Sequence, residues 1–369
     1  MAEAQVALKH FCVVCTEQVS YTVPCKEESN VAEPSRPSRI FRLTLNGSTK
    51  HTAFIVRGTM HIKIIIPTNY DHQKRLFRVK KATLPNLTVR YLAAMVPAKH
   101  RVTVLEECLH EIDFDEPIDL VALSVLSSNA KRAYEIADEF RRKGVPVVMG
   151  GVHITCCPEE ALAHADAIVI GEAEDSWPEL ISDFENKQLQ KVYDRPRRES
   201  LANLSHPRFD LITPSDYLSI PFADSRIIPI QTSRGCPHDC DFCIVTKFFG
   251  VKVRHRPIED VIEEIGLSGS KVFFFTDDNF FSNYERAEAL CKALIPLKIK
   301  YICQLDTLSY KRPDLVELLA ESGCITAFIG FESISQNNLK SVNKNFSKAR
   351  PFVNYLKFSV PTASGSTPA

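Results

Sequence analysis

Between residues 60 and 345 the chain twice runs through a series in which short apolar segments of strand length alternate with segments of helical period. The first series places strands at 61–67 (HIKIIIP), 101–106, 119–125, 146–149 and 167–170. Between the third and fourth, residues 129–143 set Ala133, Ile136, Ala137 and Phe140 on one helical face, with Asn129 placed to cap the start and Gly144 to end it. Strands that are apolar throughout must be covered on both faces, which predicts a doubly wound parallel sheet of Rossmann-like α/β type. Such a sheet binds ligands beyond the carboxyl ends of its strands. Here those ends are the loops at 124–129, 150–158 and 171–174.

The second series predicts strands at 227–232, 271–276, 299–304 and 325–330, with helices at 258–265, 283–294, 313–322 and 335–342. It is again β/α, with four strands. The expected organisation is therefore an atypical extension over 1–59, an α/β domain over 60–190, a Pro- and Arg-rich linker over 191–226, a second β/α unit over 227–345, and a disordered tail over 346–369. The extension holds Cys12, Cys15 and Cys25. Cys12 and Cys15 have the spacing of half a zinc site, but no second pair accompanies them.

Lys plus Arg and Asp plus Glu both total 45, so the chain lacks the basic excess of a nucleic-acid binder. No apolar run approaches the roughly 20 residues that a bilayer span requires. No basic start with an apolar core opens the chain, so a cytoplasmic location is expected. Twelve cysteines in a reducing compartment are inert core thiols or metal ligands rather than a disulfide framework.

Three of them stand out. In Arg234-Gly235-Cys236-Pro237-His238-Asp239-Cys240-Asp241-Phe242-Cys243 the spacing C-x-x-x-C-x-x-C lets one loop present three thiolates to an iron–sulfur cubane. Buried thiols or a zinc site are the alternatives. The motif follows an expected strand and opens a β/α series, which neither alternative accounts for. Three ligands on four irons leave one iron free for a small chelating molecule. Gly235 allows close approach of backbone, and Pro237 stiffens the turn.

This motif resembles the signature of the radical SAM superfamily. The resemblance implies a [4Fe-4S] cluster on Cys236, Cys240 and Cys243 that cleaves S-adenosyl-L-methionine. It implies that Phe242 lies beside the adenine, that Asp277 and Asp278 at the end of the second barrel strand hold the methionine amino group, and that Glu332 holds the ribose hydroxyls. A carboxylate suits either task, accepting from an ammonium or from a vicinal diol. A core of this family has six β/α units, so a partial (β/α) barrel, truncated at its C-terminus and exposing a strand edge, is expected.

The first series is similar to the cobalamin-binding domain that precedes the barrel in one large subgroup of that superfamily. Ser124, Ser127, Ser128, Gly150, Gly151, His153, Gly171 and Glu172 occupy the matching loops, and the resemblance implies that they bind cobalamin. Asp71-His72-Gln73 departs from the Asp-x-His-x-x-Gly pattern of histidine ligation, so cobalt held without a protein imidazole is expected. The subgroup's usual reaction is methyl transfer to an unactivated carbon of a small molecule, with a lipid or a tetrapyrrole as the closest substrate classes and flavodoxin or ferredoxin as reductant. Radical cyclisation or oxidation is the other enzyme reading. A non-catalytic cobalamin- or cluster-binding protein is the reading from a different class, because the barrel is partial.

Overall fold

The computed structural model describes residues 12–15, 58–220 and 225–347. His61–Ile66 (β2) is buried on both faces and pairs in parallel with Arg101–Glu106 (β3) on one side and Leu120–Ser124 (β4) on the other. Val147–Gly150 (β5), Ala167–Ile170 (β6) and Val192–Asp194 (β7) extend the sheet in the order β3-β2-β4-β5-β6-β7, every pairing parallel. The strand order therefore reverses at β2, and the crevice that accepts ligands lies at the carboxyl ends there.

Each face has its own apolar layer. Leu87–Ala94 (α1) and Ala173–Glu185 (α5) cover one with Val89, Ala93, Trp177, Leu180 and Ile181. Ala130–Arg142 (α2), Val152–Cys156 (α3) and Pro158–His164 (α4) cover the other with Ala133, Ile136, Ala137, Phe140 and Ile154. Gly144 ends α2 at positive φ as expected. Asn129 does not cap it. Its side chain accepts from the Leu126 backbone N–H (2.8 Å) and donates to the Pro67 carbonyl (2.9 Å), tying the loop after β4 to the end of β2.

The segment expected as a linker is largely structured. It carries β7 and the short strand Ser219–Ile220 (β8), and it buries Leu201 and Tyr217. Arg198 pairs with Asp175, and Arg197 donates to the Lys247 and Phe248 carbonyls, so this stretch packs against both units. Its irregular backbone hides that role from any periodicity.

In the second unit Ser225–Ile230 (β9), Val272–Phe275 (β12), Lys300–Leu305 (β13) and Cys324–Ile329 (β14) are parallel neighbours. Ile258–Ser268 (α7), Tyr284–Leu294 (α8) and Pro313–Glu321 (α9) alternate with them over a core of Phe273, Phe275, Phe280, Leu290, Leu294 and Tyr301. This is a partial (β/α) barrel. The edge of β14 is not left open as expected: Cys12–Cys15 (β1) pairs with it in parallel, Cys12 opposite Thr326 and Cys15 opposite Ile329. The zinc half-site reading of Cys12 and Cys15 lies outside the described side chains, and Cys25 outside the described residues. The proposed tail splits. Phe346 and Ser347 pack against the barrel, whereas 348–369 fall outside the described residues. Among the described residues no helix is long and apolar enough to cross a membrane.

Candidate functional site

The cysteine loop begins where β9 ends. Ser233–Arg234 (β10) pairs antiparallel with Arg254–His255 (β11), and Gly235 follows at φ +96°. A Cβ there would stand 2.9 Å from the Lys252 carbonyl oxygen and 3.0 Å from that of Gly250, so the strand pair can close over this residue only as glycine. Cys240 is buried, and Cys236 and Cys243 are half-buried. The Cys243 N–H donates to the Cys240 carbonyl (3.0 Å), folding the last two cysteines into one turn. Burial pushes the Cys236 thiol up to about 11, with Asp278 and Cys243 adding to it. Burial also raises Cys240, an effect that nearby Lys344 opposes and Cys243 reinforces. The Cys236 and Cys240 thiols each feel the charge of Cys243, which ties the three to one short loop.

A distant segment clamps this loop. Asp241 N–H donates to the Val342 carbonyl (3.1 Å), Asn343 Nδ2 donates to the Asp239 carbonyl (2.6 Å), and the His238 ring stacks on Phe346 with centroids 3.6 Å apart. His238 Nε2 lies 2.7 Å from Asp306 Oδ2, which also accepts from Asn279 Nδ2 at 2.9 Å. Asp306 follows β13 directly. It carries the same signal, an acid after an apolar strand, that marks Asp278 and Glu332.

The two aspartates after β12 have different surroundings. Asp277 is 1% exposed, and its carboxylate accepts from Thr232 N–H (3.1 Å), Thr232 Oγ1 (2.8 Å) and the Ser233 hydroxyl. It is spent on holding the turn that leads into the cysteine loop. Asp278 has a buried Oδ2 with no partner, and burial together with Asp277 pushes its carboxyl up to about 6. That orphaned oxygen beside Cys236 is ready for a cationic ligand. Glu332 sits at φ +59°, with Oε1 3.0 Å from Lys344 Nζ, which also donates to the Gly330 carbonyl at 2.9 Å. The Lys344 ammonium stands 5.8 Å from the centre of the exposed Phe242 ring. Phe242, Glu332 and Lys344 therefore form one group at the mouth of the barrel.

A cavity of about 410 Å³ lies between the upstream sheet and the ends of β9 and β12 in the barrel. Ser124, Gly150, Gly151, Gly171 and Glu172 line it from β4, β5 and β6, Tyr91 and Trp177 from the helices, and Gln231, Arg234 and Thr276 from the barrel. Gly151 serves packing between loops: at φ +109° its Cβ would lie 2.6 Å from the Val125 carbonyl oxygen. Beside Gly171 nothing lies within 4 Å of a Cβ position, so that backbone opens onto space.

Ser127, Ser128 and His153 are not among the cavity-lining residues. Ser127 and Ser128 are exposed, and His153 turns toward Ser127 and Tyr134. Glu172 lines the cavity with its charge already taken. Both its oxygens bind Arg254, at 2.9 Å for Oε2, and Arg234 Nη1 stands 3.6 Å away. Arg234 in turn pairs with Glu174 at 2.6 Å. Burial opposes ionisation of Glu174, but that guanidinium holds its carboxyl below the usual range. These pairs weld the two units directly behind Gly235.

Residues 74–181 match the model of the B12 binding domain, and residues 230–357 that of the Radical SAM superfamily. The chain is 34% identical over 293 residues to the bacteriochlorophyllide d C-8(2)-methyltransferase of Chlorobaculum tepidum, covering 74% of this chain and 61% of that one. The hopanoid C-2 methylase of Rhodopseudomonas palustris is 25% identical over 302 residues, covering 77% and 55%. The chain thus spans less than two thirds of the length of either. The structure of the radical S-adenosylmethionine methyltransferase TsrM of Kitasatospora setae, with cobalamin and [4Fe-4S] cluster bound, superposes with a TM-score of 0.58 at 16% identity, covering 79% of this chain and 62% of that one. It shares the fold. With a B12 binding domain leading into a radical SAM core through a common cavity, the chain belongs to the cobalamin-dependent radical SAM family.

Proposed function

We propose that this chain carries the cofactor-binding part of a cobalamin-dependent radical methyltransferase that methylates an unactivated carbon of a tetrapyrrole. One observation carries the reading: the largely apolar cavity is bounded at once by the carboxyl ends of the upstream sheet and by the ends of barrel strands β9 and β12, as far as Arg234 just before the cysteine loop. A methyl carrier and a radical source must both reach one substrate atom, and a shared cavity allows it. The tetrapyrrole is preferred to a lipid because the bacteriochlorophyllide methyltransferase is the more similar relative, at 34% against 25% for the hopanoid methylase.

The residues present fit the groups required. When bound, the cluster supplies the electron that splits the sulfonium of S-adenosylmethionine, and cobalamin carries the methyl group. Cys236, Cys240 and Cys243 hold the cluster. Asp278 receives the methionine ammonium on its unpartnered oxygen, Phe242 borders the adenine, and Glu332 meets the ribose hydroxyls in an orientation fixed by Lys344. Ser124, Gly150 and Gly171 offer small polar or bare backbone surface to the corrin. His72 lies exposed in a turn closed by Asp71, so this histidine gives cobalt no ligand. Arg234 and Arg254 balance Glu172 and Glu174, so the cavity wall needs no counterion. A flavodoxin- or ferredoxin-class reductant supplies the electron.

The test is anaerobic reconstitution with iron, sulfide and cobalamin, then addition of S-adenosylmethionine, reductant and bacteriochlorophyllide d. Methylated product with S-adenosylhomocysteine and 5′-deoxyadenosine supports the reading. Deoxyadenosine without S-adenosylhomocysteine would place the chemistry with radical cyclisation or oxidation. A cluster spectrum with neither product would leave a binding protein.

The aspartate assignment has its own check. Asp278→Asn removes a charge-assisted contact worth about 1.5–3 kcal/mol, so S-adenosylmethionine should bind roughly ten- to a hundredfold more weakly to the reconstituted protein. Iron content should be unchanged. Affinity within twofold of the parent would remove Asp278 from the site.

A further inference from the structure

Away from the cavity, at the junction of α3 and α4, His153, Cys157 and Glu160 each turn one donor atom to the same point, the three atoms lying within 4.8 Å of one another. We propose that they bind one zinc ion. The spacing is local, H-x-x-x-C-x-x-E, and the interruption of helical geometry at Cys157 makes it work. Cys157 leaves helical geometry (φ −130°, ψ 56°) between Val152–Cys156 and Pro158–His164, which brings its thiol to the side of His153 and Glu160.

The donor set selects the metal. An imidazole, a thiolate and a carboxylate suit zinc, whereas magnesium and calcium take oxygen ligands. With zinc–sulfur and zinc–nitrogen bonds of about 2.0–2.3 Å, the edges of a tetrahedral site run near 3.5 Å, so a side-chain closure of about 1 Å completes it. His153 is already oriented for it. Its Nδ1 stands 3.2 Å from Ser127 Oγ, while Nε2 points to the Tyr134 hydroxyl (3.1 Å) and to Glu160 Oε1 (3.9 Å). Nδ1–H donating to Ser127 leaves Nε2 as the ligand atom, the second-shell arrangement that metal-bound histidines adopt. Tyr134 is itself held by the stacked ring of His164, 4.4 Å away, whose Nδ1 lies 2.9 Å from Asp138. Cys157 is half-buried and Glu160 exposed, which leaves a path for the ion. Binding releases the Cys157 thiol proton to solvent, and a water completes the fourth position.

His153 follows Gly150 and Gly151, which line the cavity, in the same loop. Zinc here would fix that loop, and it gives His153 and Ser127 a task separate from cobalamin.

The test uses the full chain with its cluster reconstituted, dialysed anaerobically against zinc and then against metal-free buffer, with zinc and iron counted separately by elemental analysis. The parent should hold one zinc per chain more than Cys157→Ser and His153→Ala, with equal iron in all three. To separate loss of the site from loss of fold, cobalt(II) is titrated into the Cys236→Ser, Cys240→Ser, Cys243→Ser triple variant. A thiolate-to-cobalt charge-transfer band should appear, and should vanish when Cys157→Ser is added while the far-ultraviolet circular dichroism is unchanged. Equal zinc in parent and Cys157→Ser, or a cobalt band that survives Cys157→Ser, would overturn the assignment.

Discussion

Cys240→Ser should reduce both the iron–sulfur absorbance and the formation of 5′-deoxyadenosine to background, while the circular dichroism of the chain stays that of the parent. Serine keeps the volume of this 7%-exposed side chain and removes a soft donor that iron requires. The matching control is Cys303→Ser. Cys303 is fully buried, 3.8 Å from the sulfur of Cys324 in the barrel core, and belongs to β13 rather than to the loop. Burying a hydroxyl there should lower the melting temperature yet leave iron per folded chain unchanged. Loss of iron in both variants would mean that the cluster assignment rests on general unfolding. Retention in Cys240→Ser would remove Cys240 from the ligand set.

That contrast shows what was legible in the sequence. The cysteine loop could be read because ligand spacing and chemistry are local, and the strands because burial on both faces leaves unbroken apolar runs; β3 and β6 fall on their expected limits. Asp278 and Glu332 were marked by an acid following such a run, and Asp306 could have been marked by the same signal. The short helix α1 passed unnoticed because its eight residues bury Arg90 among the apolar positions. Ser127, Ser128 and His153 sit in loops at the carboxyl ends of β4 and β5, but a loop has two sides, and no periodicity says which side a residue takes. Lys344 and Phe346 meet the cysteine loop from about a hundred residues away. Glu172 with Arg254, and Asp277 with Thr232, are likewise pairs made by the fold. Charge partners far apart in the chain leave no pattern along it.

The largest such pairing predicts the second result. Glu264, on α7, is fully buried and binds Arg256 at 2.7 Å, and Tyr91 from α1 of the upstream unit donates to the same carboxylate at 2.8 Å while accepting from Arg256 Nη1 at 3.0 Å. Arg256 is 1% exposed. Glu264→Leu leaves a guanidinium that cannot lose its proton, in a place that bulk solvent does not reach, and should destabilise the protein by about 3–5 kcal/mol. The reverse removal, Arg256→Met, should cost less, because a buried carboxyl can escape its charge by binding a proton. Replacing both, as Glu264→Leu with Arg256→Met, should recover most of the loss. Urea unfolding can follow this through the chain's single tryptophan. Trp177 is 2% exposed in the upstream unit and donates to the Leu92 carbonyl at 3.0 Å, one residue from Tyr91. In the parent the Trp177 signal and the circular dichroism should change together. In Glu264→Leu they should separate, because the tie between α1 and α7 is cut and each unit then unfolds on its own. Coincident transitions, with a shift below about 1 kcal/mol, would show that the two units are joined by the Glu172–Arg254 and Glu174–Arg234 pairs instead, and that the buried triad contributes no more than an exposed ion pair does.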